Sequence, residues 1–418
     1  MIKIQDSKKL LLKNTLLLYV LQFSSQFFAL LTIPYQTRIL GPEIYGEIGF
    51  VVSVMTYVQL ILDFGFLLSA TAEVSLHRED KGYLNQIYTI VMMTKLILAV
   101  LLVVPISFIG IMVQRLKSNM PLLYIYYLAY VVNSLSPDFF YRGIENMKVI
   151  TVRTLLIKFS FTVLIFVFLK KPEDYYMVPV LTLAGNFVAL VSIMLYTLKH
   201  YGVHLVPVSH EMVNRLIKTT IPFFVSRIAS TLYTATNTFV LGIYYPTGPV
   251  VGYYTSTDKL VSAVKGFVSP VADSLYPYMT KKKDFTLIKK GLIIATPLII
   301  VGSIIGFVYA DEICCILFGE DFTAAGELLR LLLPVMMVIL PSYILAFPTL
   351  NPMGLSKYAN RSNVYGAAFQ LIGLLFLFIF NKISVQSICI LTSCTECVVL
   401  LYRVMVILRF KSKKENVR

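Results

Sequence analysis

The sequence has 418 residues, of which 57% are hydrophobic and only 14% are charged, and its mean hydropathy is +0.76. Soluble globular domains carry about 25% charged residues, so this composition excludes an ordinary soluble protein. Apolar stretches of about 20 residues, long enough to cross the hydrocarbon core as helices, recur along the whole chain. The alternating segments typical of an outer-membrane barrel are absent, which favours an all-α membrane protein.

The apolar stretches predict twelve membrane-spanning helices in two lobes of six. The first lobe covers residues 1–198, a cytoplasmic linker covers 199–218, and the second lobe covers 219–418. The predicted helices, in chain order, are 14–37, 48–71, 86–110, 120–141, 150–169, 176–198, 219–243, 250–277, 287–309, 326–350, 361–380 and 384–408. The segments that connect them are too short to form a separate soluble domain.

Lys and Arg are distributed unevenly between the two sides of these helices. With the N-terminus in the cytoplasm and the adjoining helical turns included, 24 of the 37 Lys and Arg residues fall on the cytoplasmic side and 6 on the periplasmic side. This bias follows the positive-inside rule, so both termini are expected in the cytoplasm and the protein in the cell inner membrane. The net charge of +15 therefore reflects membrane topology, and nucleic acid is not an expected partner.

The two predicted lobes resemble each other in sequence. Pro137 and Gly143, at the end of the fourth helix of the first lobe, have counterparts at the same spacing in Pro348 and Gly354 of the second lobe. Because each lobe has an even number of helices, both lobes enter the membrane with the same orientation. A parallel repeat of this kind predicts alternating access, with the substrate at the interface between the halves.

Polar side chains recur on one face of the first two helices of each lobe. In hydrocarbon such side chains are costly unless they face protein or water, so they indicate a polar pathway. The alternative is packing, because Ser, Thr and Gln often form hydrogen bonds between membrane helices. The candidates for substrate binding are Gln22, Gln26, Gln59, Arg227, Thr234, Asn237 and Lys265.

The charged residues in these helices weaken the packing alternative, because a Lys or Arg at a helix centre costs about 2.5–3.5 kcal/mol. Lys265 lies near the middle of its helix, and Arg227 lies two turns from a helix end. Asp63 and Asp273 are the candidates for ion coupling, either by pairing with these cations or by carrying a proton. Lys95, deep in the third helix, is expected to pair with an acidic residue of another helix.

Three further charged residues are not predicted to bind substrate. Glu396 and Arg403, seven residues apart on the last helix, are interpreted as structural. Arg153 is expected to extend its long side chain toward the cytoplasmic surface.

Catalytic chemistry has no support in the sequence. The four His residues fall in predicted loops without metal-ligand spacing, and no phosphate-binding P-loop appears. No metal, no cofactor and no catalytic residue is therefore predicted. The outer loops are too short to house a polymerase site, which favours a transporter over an enzyme, and a purely structural scaffold is the remaining alternative.

Two segments resemble a known family. Residues 32–46 read TIPYQTRILGPEIYG and residues 137–145 read PDFFYRGIE. Both resemble Wzx-type O-antigen flippases, which belong to the multidrug/oligosaccharidyl-lipid/polysaccharide exporter superfamily. The second segment has Phe139 where that family usually has Trp. The resemblance extends over essentially the full length of the chain.

The resemblance implies twelve helices in two six-helix lobes, a central cationic cavity and alternating access. The implied substrate is an undecaprenyl-pyrophosphate-linked O-antigen unit, moved from the cytoplasmic to the periplasmic leaflet, and Arg227 and Lys265 correspond by region to the family's basic cavity residues. Membrane lipids and other O-antigen assembly proteins are expected partners. A multidrug cation antiporter of the same superfamily is the alternative, since Asp63, Asp258 and Asp273 supply the carboxylates that such a cavity needs.

Overall fold

The protein is built almost entirely of α-helices. The computed structural model describes the backbone of residues 2–415 and the side chains of residues 14–410, apart from residues 226, 229, 230, 232–234 and 277. The helices are α1 (Ile2–Asp63), α2 (Phe66–Leu76), α3 (Lys81–Met112), α4 (Gln114–Lys117), α5 (Met120–Ser134), α6 (Asp138–Gly143), α7 (Met147–Phe168), α8 (Met177–Tyr196), α9 (His210–Tyr244), α10 (Val250–Lys282), α11 (Phe285–Val308), α12 (Ala310–Phe318), α13 (Ala325–Ile344), α14 (Ser356–Ile379) and α15 (Val385–Glu415).

Many of these helices present apolar side chains outward, as a membrane requires. Val104 is 74% exposed and Leu298 is 71% exposed, although both are fully apolar. Eight helical stretches of the described residues are long and apolar enough to cross a bilayer. The prediction of an all-α membrane protein is therefore confirmed, and the chain is a multi-pass membrane protein.

The number of membrane crossings stays a prediction. Every one of the twelve predicted segments contains helix, but α5 has only 15 residues. Helix α10 is interrupted by charge, since it carries Asp258, Lys259, Lys265 and Asp273. Length and hydropathy alone therefore do not establish twelve spans or their 6+6 arrangement.

The chain forms two compact units. Unit 1 comprises Met1–Leu40 and Glu47–Thr231, and unit 2 comprises Gly41–Gly46 and Leu232–Arg418. The division into a lobe of residues 1–198, a linker of residues 199–218 and a lobe of residues 219–418 stays a prediction.

Unit 1 is centred on α2, α3 and α6. Its core includes Phe66, Tyr88, Phe139 and Tyr141, all of them buried. Gly143 lies so close to α2 that an added Cβ would come within 2.4 Å of the Val74 side chain. This close approach holds the short helix α6 next to α2. It thereby also positions Asp138, the first residue of α6.

Helix α1 ends inside the predicted helix 48–71, where the backbone turns at Phe64 and Gly65. Phe64 and Gly65 have φ angles of 44° and 84°, a left-handed conformation that Gly adopts without strain. A Cβ on Gly65 would lie 2.8 Å from the backbone nitrogen of Phe224. The sequence did not predict this break, which leaves Asp63 as the last residue of α1.

Unit 2 is held together by α10, α13, α14 and α15 and by the inserted segment Gly41–Gly46. Gly41 has a φ of 70°, which kinks α1 at this point. The Glu43 carboxylate accepts a hydrogen bond of 3.0 Å from the Gly248 backbone nitrogen. Gly252 lies directly against this segment, since an added Cβ would come within 1.8 Å of the Pro42 carbonyl oxygen. The glycine is therefore required for the close packing of the segment on α10.

Candidate functional site

Unit 1 buries an ion pair between α3 and the end of α1. Lys95 is only 5% exposed, and its Nζ lies 3.6 Å from the Asp63 Oδ1 and donates a hydrogen bond to the Ser134 carbonyl oxygen. The prediction that Lys95 pairs with an acidic residue of another helix is confirmed. Asp63, predicted for ion coupling, therefore shares its site with a cation of its own unit.

A second ion pair lies beside the first. The Arg153 Nη1 and Nη2 donate to the two carboxylate oxygens of Asp138 at 2.7 and 3.1 Å. Both contacts hold the Arg153 guanidinium against α6, and the expectation that this side chain extends toward the cytoplasmic surface stays a prediction. A fork of this kind is among the stronger hydrogen-bonded contacts available to Arg.

The two ion pairs border a polar cavity of about 110 Å³. Its walls are formed by Gln59, Asp63, Leu67, Lys95, Asn133, Ser134, Ser136, Asp138 and Phe139. The Gln59 Oε1 is buried and has no hydrogen-bond partner among the described residues. The volume and the polar lining suit a few water molecules, each of which needs two to four polar partners. Two predicted residues, Gln59 and Asp63, thus meet at one cavity.

Unit 2 contains a separate ion pair between α10 and α15. The Lys265 Nζ donates to the Glu396 Oε1 at 2.6 Å, and the side chains are 27% and 9% exposed, respectively. Asp273, the other candidate for ion coupling, is exposed and accepts a hydrogen bond of 3.2 Å from Ser269. Glu396 was not predicted as a site residue. The only signal for it in the sequence was a carboxylate within an apolar helix, which requires a cation.

Asn237 belongs to a buried network of hydrogen bonds. Its Nδ2 donates to the Tyr254 hydroxyl and to the Thr392 Oγ1, each at 2.9 Å. Its Oδ1 accepts from the Gln370 Nε2 at 2.9 Å, and the Gln370 Oε1 accepts from Thr395 at 2.6 Å. Both amide hydrogens of Asn237 are therefore used within unit 2, as the packing alternative requires.

Arg403 is a second buried polar residue of α15, seven residues after Glu396. It is 4% exposed and donates to the Ser342 carbonyl oxygen at 2.7 Å, to the Ser362 Oγ at 2.9 Å and to the Asn363 Oδ1 at 2.7 Å. These contacts join α13, α14 and α15. They agree with a structural role for Arg403.

The remaining predicted residues lie on α1 and α9. Gln22 is exposed, Gln26 is half-buried, and Arg227 is half-buried. Thr234 lies outside the described side chains. Whether these residues contact a substrate stays a prediction.

These sites can form ion pairs and can bind charged or polar groups. Each ion pair joins one cation to one carboxylate, and the side chains described here include no group of three or more His, Cys, Asp or Glu residues that could hold a metal ion. Ionisable residues buried inside membrane helices mark pathways for ions and polar substrates. The fold and these buried charges define a membrane transporter.

The chain belongs to the polysaccharide biosynthesis protein family, whose family model matches residues 11–283. It is 26% identical over 369 residues to a candidate O-antigen transporter of Shigella dysenteriae, an alignment that covers 86% of this chain and 91% of the relative. It is also 26% identical over 343 residues to a candidate O-antigen transporter of Escherichia coli strain K12, covering 80% of this chain and 81% of the relative.

Solved structures of transporters share the fold. The lipid II flippase MurJ, in an inward closed conformation, superposes with a TM-score of 0.69 at 12% identity, covering 95% of this chain and 87% of MurJ. An inward-facing multidrug resistance transporter of the MATE family and MOP superfamily superposes with a TM-score of 0.68 at 12% identity, covering 95% and 99%. The resemblance of the sequence to Wzx-type flippases of this superfamily is confirmed, and the protein is a transporter and not an enzyme.

Proposed function

We propose that the protein moves an undecaprenyl-pyrophosphate-linked oligosaccharide, of the O-antigen repeat-unit type, across the cell inner membrane by alternating access. The direction is from the cytoplasmic to the periplasmic leaflet, with both termini in the cytoplasm as the positive-inside bias predicts. The family match and the two candidate O-antigen transporters support this class of substrate. Other O-antigen assembly proteins stay expected partners.

The observation that carries the proposal is an accessible cation on α10, a helix that the sequence predicts to cross the membrane. Lys265 is bound to Glu396, yet 27% of its side chain is exposed. A Lys at this depth costs about 2.5–3.5 kcal/mol, so a Lys with an accessible face suits a ligand that needs a positive charge. A pyrophosphate is such a ligand. Arg227 is the second proposed contact, because its guanidinium matches phosphate oxygens two at a time.

The sugar head group sets the main barrier to flipping. Each hydroxyl that loses its water in hydrocarbon costs several kcal/mol, so an unaided crossing of an oligosaccharide is prohibitively slow. We propose that Gln22, Gln26, Gln59 and Thr234 replace part of this water, while the polyprenyl chain stays in the lipid. The side-chain amide of Asn237 is already hydrogen-bonded to Tyr254, Thr392 and Gln370. We therefore propose that Asn237 acts on the substrate indirectly, by positioning these neighbours.

Ion coupling is assigned to unit 1 in this proposal. Asp63 faces both a cation and a cavity that water can enter, whereas Asp273 is exposed and bound to Ser269. A carboxylate that exchanges its proton in such a cavity would change its attraction to Lys95. Asp63 is therefore the first choice for the coupling acid and Asp273 the second.

The test is complementation of a strain that lacks its O-antigen flippase, at matched membrane expression. We expect the parent to restore surface polysaccharide and Lys265→Ala and Arg227→Ala to abolish it, with the exposed loop variant Lys382→Ala as the control. Glu396→Gln separates binding from packing, because it removes the ion pair but keeps the cation. Restoration by Glu396→Gln but not by Lys265→Ala supports phosphate binding. The multidrug antiporter is supported instead if the parent fails to restore surface polysaccharide with the glycan genes of its own cluster but confers resistance to cationic drugs.

A further inference from the structure

A cluster of lysines lies at one end of unit 2, apart from the ion pairs described above. It occupies residues 281–290, where the last turn of α10 joins the first two turns of α11. This segment is called the lysine hairpin below. All of its lysines are exposed, namely Lys281, Lys282, Lys283, Lys289 and Lys290.

The lysine hairpin has a defined shape. The Asp284 Oδ1 accepts hydrogen bonds from the backbone nitrogens of Thr286 and Leu287 at 3.1 and 3.2 Å, which caps α11. Ile288 is 7% exposed and packs with Met279 in a small apolar cluster. The lysines therefore project from a fixed turn between two helices.

The positive charge of the lysine hairpin is not neutralised within the described part of the chain. None of the ion pairs of that part involves a hairpin lysine, and the one carboxylate in the hairpin, Asp284, is used as the cap. The Asn351 amide donates to the Tyr276 hydroxyl at 2.6 Å, which brings the turn before α14 against α10. That turn leads to two more cations, Lys357 and Arg361.

The lysine hairpin also lies at the end of a membrane-spanning helix. Helix α11 is apolar enough to cross the bilayer from Phe285 onward, and the exposed fractions of Phe285 and Leu287 are 38% and 40%. Lys side chains can lay their apolar stems along such a surface and place the ammonium group at the headgroup level. Clusters of four or more Lys or Arg residues beside a membrane helix are typical of anionic lipid recognition.

We propose that the lysine hairpin binds the phosphate groups of anionic phospholipids in the surrounding leaflet. The exposed Phe285 and Leu287 favour a lipid over a soluble anion, because they need an apolar partner next to the phosphate. The binding does not depend on which substrate is transported. Each lysine near an anionic surface is expected to raise the affinity about fivefold.

The test uses the full-length purified protein, to which phosphatidylglycerol or phosphatidylcholine is added. Native mass spectrometry then measures how much of each lipid the protein retains. The hairpin variant carries Lys→Gln at all five hairpin lysines. The control variant removes the same charge at five exposed lysines elsewhere, namely Lys148, Lys170, Lys171, Lys199 and Lys382. We expect the parent and the control to prefer phosphatidylglycerol at least tenfold and the hairpin variant to lose this preference.

Three results would overturn the proposal. Equal loss in the control variant means that net charge, and not the hairpin, attracts the lipid. Displacement of the lipid by inorganic pyrophosphate, but not by sulfate at the same ionic strength, means that the hairpin recognises a pyrophosphate group. If the hairpin variant does not fold, the parent alone decides, because lipid bound to exposed lysines must be released as the salt concentration rises. Salt-independent retention contradicts the proposal.

Discussion

The Lys95–Asp63 pair offers the sharpest test of how unit 1 is stabilised. Substitution Lys95→Met keeps the length and apolar volume of the side chain but removes the charge. Asp63 then faces the cavity without its cation. Removing one partner of a buried pair typically costs about 3–5 kcal/mol, and the 21% exposure of Asp63 argues for the lower end, about 3 kcal/mol. Asp63→Asn, which leaves the 7%-exposed Lys95 side chain unpaired, should cost at least as much.

The double variant Lys95→Met/Asp63→Asn should recover most of the loss. No charge is left unpaired in it, and the Asn amide can still hydrogen bond to water in the cavity. For a unit of this size, about 1 kcal/mol corresponds to roughly 2–4 °C in Tm, so each single variant should melt about 6–12 °C lower than the parent. The double variant should melt within about 4 °C of the parent.

The assay is thermal unfolding in detergent, followed by the loss of the monodisperse peak in size-exclusion chromatography. The control cycle uses the exposed pair Arg78 and Glu145, whose side chains are 36% and 44% exposed and whose coupling should be below about 1 kcal/mol. The reasoning would be refuted if the double variant at Lys95 and Asp63 lost as much stability as the losses of the two single variants added together. A stable but inactive double variant would show that the pair is needed for transport and not only for stability.

Three further predictions concern packing and pH. Gly252→Ala should abolish folded expression, because its Cβ would overlap a carbonyl oxygen at 1.8 Å, whereas Gly302→Ala, which has open space around it, should express normally. The hydrogen bond from Arg78 lowers the pKa of Glu145, so this contact stabilises the fold above the ordinary carboxyl pKa and loses its effect as the pH falls through the lowered value. Melting curves between about pH 6 and pH 3 should therefore show a larger loss for the parent than for Glu145→Gln. Arg403→Lys should lower Tm by several degrees, because a single ammonium group cannot reproduce the four hydrogen bonds that the guanidinium makes to α13 and α14.

The sequence predicted the helices well because the bilayer imposes a length and an apolar composition on each span. It also predicted the kind of partner that Lys95 needs, since a buried cation in hydrocarbon requires an acid. It could not predict which helix supplies the acid. Lys265 and Glu396 are 131 residues apart, and helical periodicity gives the face of a helix but not the neighbour that covers it.

Local breaks in helices were the other failure. The predicted helix 48–71 runs through Phe64 and Gly65, where the chain turns. An apolar run with a single Gly looks continuous in sequence, because Gly is tolerated inside membrane helices. The turn becomes necessary only once the backbone of Phe224 packs against Gly65, which is a tertiary contact. Such contacts, and not local propensity, position Asp63 beside Lys95.

The segment PDFFYRGIE, which resembles the flippase family, forms part of the scaffold of unit 1. Its residues make ion pairs, hydrogen bonds and a close helix contact, and the pairs are Asp138 with Arg153, Tyr141 with Thr197, Gly143 with Val74, and Glu145 with Arg78. Because these side chains are engaged within the protein, we interpret the segment chiefly as a marker of the fold of the transporter. Under the proposed function, selection of a particular glycan is then expected to depend mainly on polar residues outside the segment. If the proposed function is right, exchange between relatives of exposed side chains on membrane helices, such as Gln22, should change the glycan that is transported.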